Sequence, residues 1–174
     1  MTPWQPTLHG SAVTVRPIER EDLDGLHAAA SDPLVWEQHS ERNRHERAVF
    51  ERFFDGALDC GGGMVIEERE GGRIIGSSRF YDWDPIQSSV VIGYTFLERA
   101  HWGGRTNAQV KSLMLAHAFA HVATVWFQVS PGNVRSQKSL ERIGASFHHR
   151  EQVSIAGVPS DRFIYRLERA ADGR

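Results

Sequence analysis

The sequence predicts an α+β fold, a mixed, mostly antiparallel seven-stranded sheet with helices on both faces, in the order β-α-α-β-β-β-α-β-α-β-β. Three observations carry this. Strand-like runs follow one another between residues 64 and 97 with turn signals between them, as in a meander. Residues 43–60 and 106–122 repeat apolar side chains at helical spacing. From residue 106 onward helical and strand patterns alternate, so crossover connections follow the meander.

Taken in order, "SAVTVRPI" (11–18) is β-branched and ends near a proline, as a first strand does. "EREDLDGLHAAASDP" (19–33) sets Leu23, Leu26 and Ala30 on one side of a short helix that stops at Asp32-Pro33. In the second helix Val49, Phe50, Phe53, Phe54, Ala57 and Leu58 form an apolar stripe opposite a charged face. The meander strands are "MVIEERE", "RIIGSSRFYDWD" and "QSSVVIGYTFL", turning at Gly71-Gly72 and after Asp84-Pro85. Val110, Leu113, Met114, Ala118 and Val122 mark the core face of the third helix. "TVWFQVS" is a strand ending at Pro131-Gly132, and "NVRSQKSLERIGA" is a helix with an asparagine cap and a glycine stop at Gly144. "SFHHREQVSI" and "DRFIYRLER" are the last strands, with "AGVP" as their turn. No repeat, linker or low-complexity segment interrupts this order, so residues 1–174 are expected to form one domain, with a frayed tail at 169–174.

Hydrophobic residues make up 40% and charged residues 24%, and the net charge is −2. That balance argues against a general nucleic-acid or membrane binder, both of which reward a basic surface. Cys60 is the sole cysteine, so no internal disulfide forms and a reducing cytoplasm is the expected location. No basic-then-apolar leader opens the sequence, and no apolar run approaches the ~20 residues of a bilayer span.

Chemistry concentrates in two stretches. In "RAHWGGRTNAQVKSL" (99–113), Gly103 and Gly104 permit a tight turn, Thr106 or Asn107 is a candidate cap, and Arg105 adds a charge. The free N–H groups of a helix's first turn suit a phosphate. The same residues also suit a plain glycine turn before a capped helix. In "SPGNVRSQKSLERIGA" (130–145), Asn133 is a simple N-cap, while Ser136 adds a hydroxyl on the same face that a cap does not require.

Together these stretches resemble the GNAT superfamily of acyl-CoA-dependent N-acetyltransferases, and within it the ribosomal-protein N-terminal acetyltransferases. The family's element order, its loop after the fourth strand ("GYTFLERAHWGGRTN") and its N-x-x-S…G helix (Asn133, Ser136, Gly144) are all represented. The resemblance implies acetyl-CoA as co-substrate and no metal. It implies that backbone groups of Phe96 and Leu97 pair with the pantetheine arm. Amides of Trp102, Gly103, Gly104, Arg105, Thr106 and Asn107 would face the pyrophosphate, Asn133 would bond the pantetheine, and Ser136 would lie near the thioester sulfur. Asn133 and Ser136 are thus the catalytic candidates.

The pattern also departs from the family. Arg105 stands at the usual second glycine, Leu140 where many members carry a thiolate-protonating tyrosine, and Val91 where many carry a glutamate base. Ser136 is left as the acid, and the base is unassigned. Such a reaction draws most of its acceleration from positioning and oxyanion stabilisation. On the acceptor side, carboxylates beside aromatics suit a cationic amine. Tyr81, Asp82 and Asp84 in "RFYDWDP", with Trp36 and Glu37 after the first helix, are the substrate candidates, against the alternative of a solvated turn.

The expected acceptor is a small-molecule or peptide amine, handled by a monomer or homodimer. Trp4 and Trp83, expected to be exposed, would fit a dimer. The competing function is a non-catalytic acyl-CoA-binding module, motivated by the missing tyrosine and glutamate. A dinucleotide-binding domain is disfavoured because its glycine fingerprint follows the first strand. His117 and His121 have zinc-like spacing but lack the glutamate of HExxH, and His148 and His149 should point to opposite faces of a strand. Cys60 lacks an activating base.

Overall fold

A computed structural model describes residues 2–155 and 157–170. The strands are β1 (Leu8–His9), β2 (Val13–Pro17), β3 (Gly63–Glu68), β4 (Ile74–Asp84), β5 (Ser89–Leu97), β6 (Thr124–Val129), β7 (Ser146–Ile155) and β8 (Val158–Glu168). The α-helices are α1 (Leu23–Ala30), α2 (Arg47–Asp59), α3 (Arg105–His121) and α4 (Val134–Arg142). The sheet has eight strands, not seven, in the order β1-β2-β3-β4-β5-β6-β8-β7. The added strand is the two-residue β1, paired with β2 through Leu8↔Val15 and His9↔Thr14. It is too short to show any periodicity in sequence. All pairings are antiparallel except β5 with β6. The last strand begins at Val158, inside the expected turn, and the tail expected at 169–174 lies largely outside the described residues.

Strand alternation divides the core. Met64 and Ile66 pack with α3 and α4 through Val110, Met114, Ala118 and Leu140. Val65, between them, joins Leu26, Phe50, Phe53 and Ala57 of α1 and α2 on the opposite face. Phe96 and Leu97 divide in the same way at the end of β5. Burial of the larger of these side chains, worth about 1.5–3 kcal/mol each, holds both helix layers to the sheet.

Several expectations are corrected here. Trp4 is buried, only 4% exposed, with its ring against Phe80, His117 and His121. The zinc-like histidine pair therefore clamps the N-terminal segment, and His117 Nε2 meets the Pro3 carbonyl at 2.6 Å. His148 and His149 do not diverge. A register shift between Phe147 and His149 brings their Nδ1 atoms within 2.7 Å. Trp83 is exposed, as expected.

Candidate active site

The parallel pair β5–β6 holds together over only Ser89↔Thr124, Val90↔Val125 and Val91↔Trp126. Beyond Val91 the strands part, leaving a wedge in the middle of the sheet. On its other side β5 stays paired with β4, but with a register shift between Ser77 and Arg79, opposite Gly93 to Phe96. Tyr94 takes φ 53° there, the left-handed region that a side chain accepts only at a cost. The Glu98 N–H reaches the Ile75 carbonyl on β4 at 2.9 Å. Alternation then turns the Phe96 backbone toward β4 and the Leu97 backbone toward the wedge. The Leu97 carbonyl accepts from Trp102 Nε1–H at 2.9 Å.

The turn after β5 delivers α3 to the mouth of this wedge. Gly103 has φ 68°, and Gly104 is the N-cap with φ −101° and no side-chain cap. Neither Thr106 nor Asn107 caps the helix. Thr106 Oγ1 lies 3.5 Å from His101 Nδ1, and Asn107 Nδ2 donates to Ser139 Oγ at 3.1 Å. The first turn of α3 therefore keeps its backbone donors without a side-chain acceptor, as an anion site requires. A Cβ added at either glycine would meet nothing within 4 Å.

A cleft of ≈ 580 Å³ opens from this turn into the wedge. Phe96, Leu97, Trp102, Gly103, Gly104, Asn107, Asn133 and Ser136 line it, joining eight of the ten expected co-substrate residues. Arg105 and Thr106 are not part of its wall. Arg105 opens α3 with its side chain exposed. Asn133 Oδ1 accepts the Ser136 N–H at 3.1 Å, capping α4 and leaving only the amide NH₂ for a ligand.

The strongest signal missed in sequence is charge. Arg135, Lys138 and Arg142 lie three and four residues apart on one face of α4, and all line the cleft together with Lys111 of α3. No carboxylate lines it among the described residues. Arg135 also spans the mouth, its guanidinium carbon 3.7 Å from the Trp102 ring centroid. The stripe was visible in "VRSQKSLER" as helical spacing, but its orientation was not.

A second, smaller pocket of ≈ 110 Å³ lies on the far side of the wedge. The two cavities share His39, Thr95, Lys111, Asn133 and Ser136. Burial pushes the His39 imidazole down to about 4, with Arg44, Arg135 and Arg162 adding to the shift, so the ring is neutral at neutral pH. Burial alone pushes the Lys111 ammonium down to about 8. Its Nζ sits 5.6 Å from the Phe127 ring centroid with no carboxylate within ion-pair distance among the described residues.

Of the acceptor-side candidates, Tyr81 lines the small pocket, where burial raises its hydroxyl well above the ordinary value. Asp82 is exposed at φ 49° and lines neither cavity. Asp84 caps its own turn through the Ile86 and Gln87 N–H groups at 2.8 and 2.9 Å. Trp36 is a core residue, 1% exposed, donating to the Ala30 carbonyl at 2.8 Å. Val91 and Leu140 are buried apolar residues, so neither position supplies an acid or base. Among the described residues no three His, Cys, Asp or Glu side chains converge as metal ligands, and no helix is long and apolar enough to cross a membrane.

A sheet parted at its one parallel pair has an uncapped helix opening on the gap, and comparison with known proteins supplies the family and with it the class, an acyltransferase. The model of the acetyltransferase (GNAT) domain matches residues 12–146, and the chain belongs to that family. Searching curated protein sequences gives no match. Among solved structures, a GCN5-related N-acetyltransferase from Brucella melitensis is similar at TM-score 0.83 and 18% identity, over 94% of this chain and 79% of that one. RimJ from Mycobacterium smegmatis, in complex with CoA-disulfide, gives 0.75 and 18% over 95% and 88%. A GNAT-family acetyltransferase from Bacillus anthracis gives 0.75 and 14% over 94% and 98%. At these identities the likeness is one of fold. Enzymes of the family transfer acetyl groups from acetyl-CoA.

Proposed function

We propose that residues 1–174 form one N-acetyltransferase domain that moves the acetyl group of acetyl-CoA to a primary amine by direct attack in a ternary complex. The observation that carries this is the meeting of two cavities at the parting of β5 and β6, where His39, Thr95, Lys111, Asn133 and Ser136 belong to both. One cavity suits a long phosphorylated co-substrate and the other a small acceptor. Each can fill before the reaction begins.

The residues present fit acetyl-CoA. Backbone N–H groups from Gly103 to Asn107 meet its pyrophosphate, with the uncapped turn of α3 behind them, whereas the Trp102 N–H is already given to the Arg99 carbonyl at 3.0 Å. Arg135, Lys138 and Arg142 supply balancing charge. The Leu97 backbone and the Asn133 amide NH₂ face the pantetheine arm. Acetyl-CoA supplies an activated acyl carbon and a thiolate leaving group.

The side chains at the junction divide the proton transfers. Neutral His39 takes a proton from the attacking amine, directly or through water. The new C–N bond forms as the C–S bond breaks, and the sulfur receives a proton from Ser136 Oγ or Lys111 Nζ. Ser136 has no proton reservoir of its own, whereas Lys111 is a cation at neutral pH and replaces the missing tyrosine. With His39 and Lys111 in these roles, the junction has a base and an acid despite the missing glutamate and tyrosine, which favours an enzyme over a non-catalytic acyl-CoA-binding module. The acceptor is a small-molecule or peptide amine, and the single Cys60 supports a reducing, cytoplasmic setting for a monomer or homodimer.

The test is CoA release from acetyl-CoA over a panel of amino acids, polyamines and peptides, with wild type and Ser136→Ala, alongside calorimetric binding of acetyl-CoA. Turnover with at least one amine, reduced in the variant, is expected. Normal binding with no CoA release from any amine overturns the proposal in favour of the binding module.

A further inference from the structure

The small pocket says which kind of amine it receives. Its lining includes Arg44, Arg162 and Lys111, and no aspartate or glutamate. A pocket for a purely cationic amine would carry the opposite sign. Arg44 is partly balanced by Glu41 at 2.8 Å. Arg162 has no carboxylate within ion-pair distance among the described residues. Its Nη1 donates to Ser130 Oγ and Ser160 Oγ, each at 3.1 Å, and to the Asp161 carbonyl at 3.0 Å. Its Nη2 donates to Ser40 Oγ at 3.1 Å.

Ser40 and Ser130 both line the pocket, and both hydroxyl oxygens already accept from Arg162. Their own O–H protons are left free to donate. A guanidinium flanked by two outward-donating hydroxyls is a seat for an oxyanion. Arg79 deepens the positive field from below, 4.2 Å from the Tyr94 ring centroid, with no ion-pair partner among the described residues.

We infer that the acceptor is a small amine that also carries a carboxylate or phosphate a few bonds from its nitrogen, and that Arg162, Ser40 and Ser130 hold that oxyanion while the amine points to the junction. This rests on the acetyltransferase reading and narrows its acceptor. The arrangement serves the reaction twice. The oxyanion offsets the cationic wall, and the remaining positive charge disfavours the ammonium form of the substrate, so the nucleophile loses its proton more easily. His39 lies in the same field, where burial first and then Arg44, Arg135 and Arg162 keep its ring neutral.

The experiment compares kcat/KM for matched pairs with the wild-type protein: each L-amino acid against its amide, and phosphoethanolamine against ethanolamine. The member with the oxyanion should be preferred by roughly 10- to 100-fold, the size expected for charge-assisted hydrogen bonds. The first pair identifies a carboxylate acceptor and the second a phosphate. Arg162→Gln should erase the preference while acetyl-CoA affinity and Tm stay near wild type, and Ser40→Ala with Ser130→Ala should reduce it in part. Equal use of acid and amide, or preference for spermidine or for neutral peptides, overturns the inference while leaving acetyl transfer intact. Binding of the N-acetyl amino acids against their amides, read by calorimetry with CoA present, tests the seat without turnover. Indifference to the carboxylate there also overturns it.

Discussion

Arg135 on α4 and Trp102 on the turn before α3 meet across the mouth of the larger cleft, guanidinium carbon 3.7 Å from ring centroid. The same indole donates to the Leu97 carbonyl at 2.9 Å, so one side chain ties α4, the glycine turn and the end of β5 together. A cation over a tryptophan face contributes about 0.5–2 kcal/mol. Trp102→Ala is expected to raise the KM for acetyl-CoA about 10-fold or more, with a smaller effect on kcat. Steady-state kinetics with varied acetyl-CoA checks this.

Gly104 has an ordinary φ of −101°, and nothing lies within 4 Å of the position its Cβ would take. Gly104→Trp therefore introduces bulk without backbone strain, and the bulk enters the cleft. The variant should keep a Tm close to wild type and lose detectable acetyl-CoA binding, measured by calorimetry. Retained binding would show that the co-substrate does not pass this turn.

Arg105 departs most from the family pattern in sequence, yet its side chain is exposed and outside the cleft wall. Arg105→Ala should change the KM for acetyl-CoA by less than about 3-fold, since exposed charges contribute little. A larger loss, steepening at low salt, would show that the side chain swings onto phosphate when ligand binds.

Lys111 is held at about 8 against an ordinary 10.5. Between those values the unfolded chain binds more protons, so this group makes stability rise with pH across that window. Below it, the buried cation is a cost. Lys111→Met should raise Tm by several degrees at pH 7, an advantage that fades toward pH 10, and should lower kcat. If Lys111 delivers the proton, wild-type kcat falls as pH rises through about 8 and the variant loses that limb. Thermal melts and kcat profiles over pH 6–10 read both effects.

His39 shows the same linkage at the acid end. Its imidazole is at about 4 when folded and near 6.5 when free. Stability from this group is complete above 6.5 and is lost as pH falls through about 4. His39→Gln should flatten the acid side of the Tm–pH curve and lower kcat about 10²-fold or more, the usual contribution of a general base. A variant with unchanged kcat would move the base elsewhere.

Local grammar made much of the fold legible. Asn133 caps α4 and Gly144 ends it at φ 87°, and Gly71 and Gly72 turn the first hairpin at φ 81° and 65°, as their residue types require. The two-residue β1 was silent because two residues cannot express a period. In the site, the positions that depend on main chain at the ends of elements were readable, as with Gly103, Gly104 and Asn133. Positions set by how elements lean on one another were not. Trp36 looked like a substrate contact and is core, because the short helical turn at Pro33–Val35 folds it under Phe53 and Phe96. Nothing in sequence sets Lys111 apart on its helix, and only the parting of β5 from β6 gives it a cavity to face. His148 shows the same limit, since a bulge moves a side chain across a strand that simple alternation would fix.

The seam of three residue pairs, Ser89 to Val91 against Thr124 to Trp126, has a mechanical meaning. It is the sheet's sole ladder joining β1–β5 to the β6–β8 group. An eight-stranded sheet ordinarily has two rims; this one has four, two of them facing each other in its interior. Helix α3 packs against both halves at once, through Met64 and Ile66 on one side and Val125 and Phe127 on the other, so that helix and the seam together set the width of the gap.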